Sequence, residues 1–311
     1  LSVFSLFHLS VFWSYMSDLF NRQQAPRLFG IIATGASVGA LAGPALAALF
    51  VDRIGTESLL LVSAAVLLIP LPIILALDTL KHTALGNIDV SVDLSAEQSV
   101  GRNPLRGFSL FFRSPYLIGI GAFILLYVAI GSFVYFELKN LLEPFSREAR
   151  TEIYAYIDLA VNSLTILTAV FLTGRIATRF GMAVTLALIP ALMTLGMLVI
   201  AFSPVVAVVA GLQVARRAGN YAITRPGREM LFTIVDRETR FKAKPVIDIV
   251  LYRGGDMVSA WAFTLLTTVM GLGLGAVAAA GAGIAAIWAF VGLYLGRSYE
   301  RRAGEQESSR G

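Results

Sequence analysis

Mainly apolar stretches run through this chain at 1–19, 28–51, 58–77, 116–138, 153–176, 182–202, 205–223, 246–270 and 272–295. A helix needs about 20 such residues to cross a bilayer. Each stretch is too long for a membrane strand and none alternates with period two, so each predicts a transmembrane helix. The connections are short except 78–115, which is polar and mixed in charge (Lys81, His82, Asp89, Asp93, Glu97, Arg102, Arg106, Arg113). Its last part, 104–113, sets Leu and Phe among Arg residues and predicts a segment lying flat at the interface. The long connection divides the chain into three spans and then six. The pattern as a whole predicts an all-α integral membrane protein.

Composition sharpens this. Of 311 residues, 57% are apolar and only 14% charged, against roughly 45–50% and about 25% in soluble domains. That excludes an ordinary cytosolic enzyme and excludes disorder. The net charge of +5 and the pI of about 9.6 would fit nucleic-acid binding, but the Lys and Arg residues follow the connections instead. Eighteen lie in one alternate set (around 21–27, 78–115, 175–179, 225–244 and the tail from Arg297). Four lie in the other set (Arg53, Lys139, Arg147, Arg150), and Arg216, Arg217 and Arg253 lie within spans. Basic connections stay on the cytoplasmic side. The long loop and the C-terminus are therefore expected in the cytoplasm, with the protein in a bacterial inner (plasma) membrane and no nucleic-acid partner. The chain has no cysteine and two His residues, so no thiolate or His-rich metal site and no cofactor is expected. It contains no P-loop, no Gly-x-Ser-x-Gly and no His-Glu-x-x-His. An enzyme is not expected, and energy must come from an exchanged solute or an ion gradient. The apolar run at Leu1, uncharged until Asp18, reads as a truncation point within a longer protein.

Polar residues inside the spans are costly and tend to face a cavity or a partner. At roughly 100° per residue, Gln213, Arg217 and Asn220 share a stripe, Thr224 continues it and Arg216 flanks it. The two arginines either snorkel or brace a neighbouring helix, or they form an anion-contacting face, since guanidinium offers a bidentate fork to carboxylate or phosphate. Arg217 is expected as the principal substrate contact. Asp248, Tyr252, Asp256 and Ser259 form a second stripe. Arg253 lies beside it, three residues from Asp256, and either neutralises that residue within the helix or joins the site. Tyr154, Asp158, Asn162 and Thr165 share a third face. Asp158 is either a proton or cation site or the partner of an arginine on another helix. Ser10, Ser14 and Ser17 align in the first span, with His8 and Tyr15 on another face. Glu137 and Lys139, near the end of their span, form either a gate or an interface pair.

Nine spans with a long loop after the third resemble a major facilitator transporter of six plus six helices, seen from its fourth helix onward. On that resemblance 1–77 holds the last three helices of an incomplete N-terminal half, and 78–115 is the cytoplasmic loop between halves. Residues 116–297 form a complete six-helix C-terminal half and 298–311 a cytoplasmic tail. Two motifs agree. Gly174-Arg175-Ile176-Ala177-Thr178-Arg179-Phe180-Gly181 resembles that superfamily's Gly-x-Leu-Ala-Asp-Arg-x-Gly loop motif, with Thr178 in the Asp place. Gly35, Gly39, Gly43 and Pro44 resemble the Gly-Pro motif of its fifth helix. Spacing of four puts the three glycines on one face, where backbones can approach closely. Gly174, Arg175, Arg179 and Gly181 are expected to act with these in conformational change. An incomplete half should also leave polar or small-residue faces of the first two spans uncovered.

The stretch 225–261, RPGREMLFTIVDRETRFKAKPVIDIVLYRGGDMVSAW, is similar to the ATP/ADP exchange carriers of plastids and intracellular bacteria and their bacterial relatives. Arg225-Pro226, Arg228-Glu229, Lys242, Lys244, Ile247-Asp248, Arg253 and Gly255 carry the likeness. Phe12-Trp13-Ser14, Asp18, Arg27, Phe29 and Gly30 carry it in and after the first span. Those exchangers have a Lys after the Arg-x-Gly element where this chain has Asp256, and a carboxylate there would repel a polyphosphate. The resemblance implies a secondary transporter, acting as a monomer in the lipid bilayer, for a small and anionic metabolite, with nucleotides as one candidate. The alternatives are a proton-coupled facilitator for a drug, sugar or peptide, a non-transporting sensor, or a membrane-embedded enzyme. The candidate binding residues are Gln213, Arg216, Arg217, Asn220, Asp158, Asn162, Tyr252, Arg253 and Asp256.

Overall fold

The computed structural model describes residues 2–20, 23–66, 68–83 and 105–308, and no strand occurs among them. Two compact units form, one from Leu1–Ser37 with Asn103–Gly311, the other from Val38–Arg102.

The larger unit holds α1 (Ser2–Leu19), the first turns of α2 (Ala25–Val66), α4 (Arg106–Arg113), α5 (Pro115–Leu142), α6 (Arg147–Thr168), α7 (Gly174–Phe202), α8 (Val206–Gly219), α9 (Arg225–Met230), α10 (Arg237–Pro245), α11 (Tyr252–Thr264) and α12 (Leu274–Ser308). Helix starts follow local chemistry. Ser114 caps α5, its hydroxyl accepting from the Leu117 N–H at 3.4 Å, with Pro115 at the position where no N–H is needed. Ser146 caps α6 at 3.2 Å and Asp236 caps α10 through the Thr239 N–H at 2.8 Å.

The basic connection at 174–181 is helical almost throughout. The helix that begins at α6 continues to Phe180 and reverses at one residue, Gly181, whose φ of 78° suits glycine. Glu300 of α12 closes the turn, its Oε1 accepting from the Met182 N–H at 2.9 Å. A Cβ at residue 181 would meet that same oxygen at 2.6 Å.

The core lies where α5, α7 and α12 meet. Gly292 brings α12 against the Leu186 carbonyl, 2.9 Å from where a Cβ would sit, the close approach that small residues permit between membrane helices. Trp288 is fully buried there, its ring 5.4 Å from Phe123 and 5.7 Å from Tyr127. Phe133 and Phe263 join α5 to α11 edge to face at 5.6 Å. The outward faces carry Leu195, Trp261 and Phe290, all exposed, as expected of surfaces against lipid.

Wide five- or six-residue turns of π type interrupt the helices at Ala169–Thr173, Asn220–Thr224, Val246–Leu251 and Leu265–Val269. Among the described residues, four helical stretches are long and apolar enough to cross a membrane: Ala25–Leu46, Pro115–Leu142, Arg147–Phe202 and Leu274–Glu305. The third of these covers two expected spans on either side of Gly181. Wide turns break the expected spans at 205–223 and 246–270 into shorter pieces.

Of the segment expected to lie flat at the interface, Arg106–Arg113 forms α4, which packs on α10. Gly107 abuts the Lys242 carbonyl, where no side chain would fit, and Arg106 pairs with Glu238 at 3.2 Å. Phe111 is buried, while Leu105 and Phe112 stay exposed. One expectation changes here: the polar face of the first span is covered. Ser10, Ser14 and Ser17 are buried, because α1 packs on α9, α10 and the turn at Val246–Leu251.

In the smaller unit, Gly55 (φ 74°) ends the continuous run of α2. The expected span 58–77 is two pieces, with a turn in which the Leu68 N–H reaches the Ala65 carbonyl at 3.0 Å. The second piece is α3 (Pro70–Thr83). Pro70 and Pro72 lack the N–H that would continue the first helix. A Cβ at Gly39 or Gly43 would meet nothing within 4 Å, and the same is true of Gly35 in the larger unit. Pro44 lies inside the α2 helix. Most of the long connection, 84–104, lies outside the described residues.

Candidate substrate chamber

Four helices bring the candidate residues together. Tyr127, Gly131, Ser132 and Tyr135 come from α5, Tyr154 and Asp158 from α6, Gln213, Arg216 and Arg217 from α8, and Tyr252 and Asp256 from α11. They line a chamber of about 740 Å³, within the range of sites for small molecules.

The two adjacent arginines differ in surroundings. Arg217 forms an ion pair with Asp158 at 2.5 Å, joining α8 to α6, with the side chains 26% and 58% exposed. Its charge is therefore compensated. Arg216 is 8% exposed and has only neutral partners. Its Nε and Nη2 donate to Gln213 Oε1 at 3.2 and 3.0 Å. Its guanidinium lies 5.7 Å from the centre of the Tyr127 ring. Gly131 makes the room: a Cβ there would lie 2.8 Å from Nη1. No carboxylate pairs with Arg216 among the described residues.

Six of the nine candidates thus line one space: Gln213, Arg216, Arg217, Asp158, Tyr252 and Asp256. Arg253 pairs with Asp256 at 3.1 Å and does not line the chamber. Asn162 donates back to the Asp158 carbonyl at 2.9 Å. Asn220 lines a neighbouring, smaller chamber. Asn220 still takes the regular helical place after Arg217, its N–H donating to the Arg216 carbonyl, and the wide turn that starts there shifts only the residues that follow, from Tyr221 on. Of the conformational candidates, Arg179 stacks near Phe180 at 5.8 Å and the Gly174 backbone lies near that of Pro26 and Arg27.

The model of the Major Facilitator Superfamily matches residues 2–224. The chain belongs to the Major Facilitator Superfamily. A search of curated proteins found no match. The match covers α1 to the end of the wide turn after α8 and so includes most of the chamber wall. Facilitator proteins are secondary membrane transporters rather than enzymes, and the apolar outer faces of this bundle agree with a protein embedded in a bilayer.

Sequence reasoning missed two groups. The first is the aromatic wall of Tyr127, Tyr135, Tyr221 and Phe136. Its members come from helices whose facing sides cannot be matched without the packing. The second is a buried ion network. Lys244 reaches Glu229 at 3.1 Å and Asp248 at 2.7 Å, and Arg228 reaches the same two acids at 2.9 and 3.5 Å. The Lys244 side chain is fully buried, and its Nζ also donates to the Ser10 carbonyl at 3.4 Å. Beside it Asp18 of α1 pairs with Arg240 at 3.3 Å and Arg237 at 3.7 Å. The signal in the sequence was the density of charges at 225–248. It reads as a cytoplasmic loop because the acids and bases that neutralise one another are up to 20 residues apart.

Proposed function

We propose that this facilitator protein moves a small anionic metabolite by alternating access, bound in the chamber between α5, α6, α8 and α11. The observation that carries the reading is Arg216, a nearly buried cation with neutral partners only, beside a chamber large enough for a metabolite. A buried charge left without a counter-charge is costly, and an anionic solute supplies one. Arg217 and Asp158 form a second element: the solute's anion competes with Asp158 for Arg217. The ring-lined wall and the resemblance at 225–261 keep nucleotides among the candidates, with Asp256 opposing the most highly charged of them. The basic connections orient the long loop and the C-terminus to the cytoplasm of a bacterial plasma membrane, and 116–297 acts as one six-helix half.

The test is ligand protection of the purified protein against thermal unfolding, with succinate, citrate, orthophosphate and ADP as probes. Arg216→Gln is expected to weaken a protective anion about tenfold or more, which is roughly 1.4 kcal/mol. Unchanged affinity in both Arg216→Gln and Arg217→Ala, with normal folding, would sink the reading.

A further inference from the structure

Three tyrosines of the large chamber separate it from a neighbour. Tyr127, Tyr221 and Tyr252 line the large chamber and also line a second chamber of about 210 Å³. This size is below the roughly 300 Å³ at which pockets for whole drug-sized ligands begin. Its far wall holds Ser10 of α1, Asn220, Arg225, Arg228 and Asp248.

Charge at that wall does not balance. Arg228 and Lys244 are matched by Glu229 and Asp248 in the buried network. Arg225 is the remaining cation. Its Nε is shielded from solvent and has no hydrogen-bond partner, and the Arg228 Nε is in the same state. No carboxylate pairs with Arg225 among the described residues. One positive charge is thus left over on the wall of a small chamber, together with two unused guanidinium N–H donors, the Ser10 hydroxyl and one Asp248 carboxylate oxygen, which are also without a hydrogen-bond partner. Two of the wide turns, Asn220–Thr224 and Val246–Leu251, contribute Asn220, Tyr221 and Asp248 to this wall. Such turns recur where a helix is adapted to a functional site.

We infer that the small chamber is an oxyanion subsite, taking the terminal phosphate or carboxylate of the transported solute. Arg225 and Arg228 donate to it, and Asn220 adds a neutral donor. The body of the solute passes the tyrosine neck and lies in the large chamber beside Arg216. The inference rests on the anion-transport reading and narrows it. The solute carries an oxyanion at one end and a second anionic group for Arg216, separated by a segment thin enough for the neck. An excess of positive charge on both sides of the neck discriminates against solutes charged at one end only.

Orthophosphate is the probe, titrated against the purified protein by thermal melting at ionic strength held constant with sodium chloride. The wild type should show a saturable rise in melting temperature. Arg225→Gln should weaken the apparent affinity about tenfold or more, and Arg225→Lys, which keeps the charge, should recover part of it. Lys139→Gln removes an exposed cation outside both chambers and should leave the titration unchanged. Asn220→Asp leaves Arg225 in place and sets a carboxylate on the wall, so it should abolish the stabilisation. Wild-type affinity in Arg225→Gln, or retained stabilisation in Asn220→Asp, would overturn the subsite. So would an absence of orthophosphate stabilisation in a wild type that citrate or ADP does stabilise, and in that case anion transport itself survives. If no anion of any size stabilises the wild type, the transport reading falls and the subsite falls with it.

Discussion

Arg217 and Lys244 both sit in ion pairs, yet the two contribute very differently to the fold. The Arg217–Asp158 pair is partly exposed, and exposed pairs contribute about 0–1 kcal/mol. Lys244 is fully buried between Glu229 and Asp248, and removing one member of a buried pair costs about 3–5 kcal/mol because the partner charge is stranded. Arg217→Ala should therefore lower the melting temperature little, while Lys244→Met should lower it severely or prevent folding. Similar losses in the two variants would contradict this contrast. At this scale the sequence was partly legible. Charges within spans marked Arg216, Arg217, Asp158 and Asp256 as residues that must avoid lipid. Which arginine is free and which is paired depends on a contact across 59 residues, and no helical projection contains that. The Lys244 network was legible only in part: Asp248 is four residues on, but Glu229 and Arg228 come from another helix.

Helices were legible where they are regular, as in α5 and α12. They were misread where proline or wide turns change the register. The span expected at 58–77 breaks before Pro70, and wide turns break the spans expected at 205–223 and 246–270. The Gly174–Gly181 motif looked like a loop with glycine at each end, but only Gly181 turns the chain. Its positive φ costs a residue with a side chain about 1–2 kcal/mol, and the contact with Glu300 adds to that. Gly181→Ala should therefore reduce stability by at least that amount. Glu300→Gln keeps an acceptor for the Met182 N–H and should reduce it less. Chemical denaturation of both variants checks the order, and a neutral Gly181→Ala would contradict the account of the turn.

For the whole molecule, the all-helical membrane architecture was legible because it depends on composition and period alone. The site was legible as a set of residues and not as a space. Four helices and the tyrosines between them create the chamber, and tertiary packing alone decides which faces meet. The central claim is that the chamber selects for negative charge through Arg216. The most direct measurement compares solutes of the same shape and different charge, succinate with succinamide and ADP with adenosine, in thermal melting of the wild-type protein. Stabilisation by the charged member of at least one pair, with its neutral counterpart inert at the same concentration, is the predicted result. Equal stabilisation by neutral and charged members, or by neutral members alone, would contradict it.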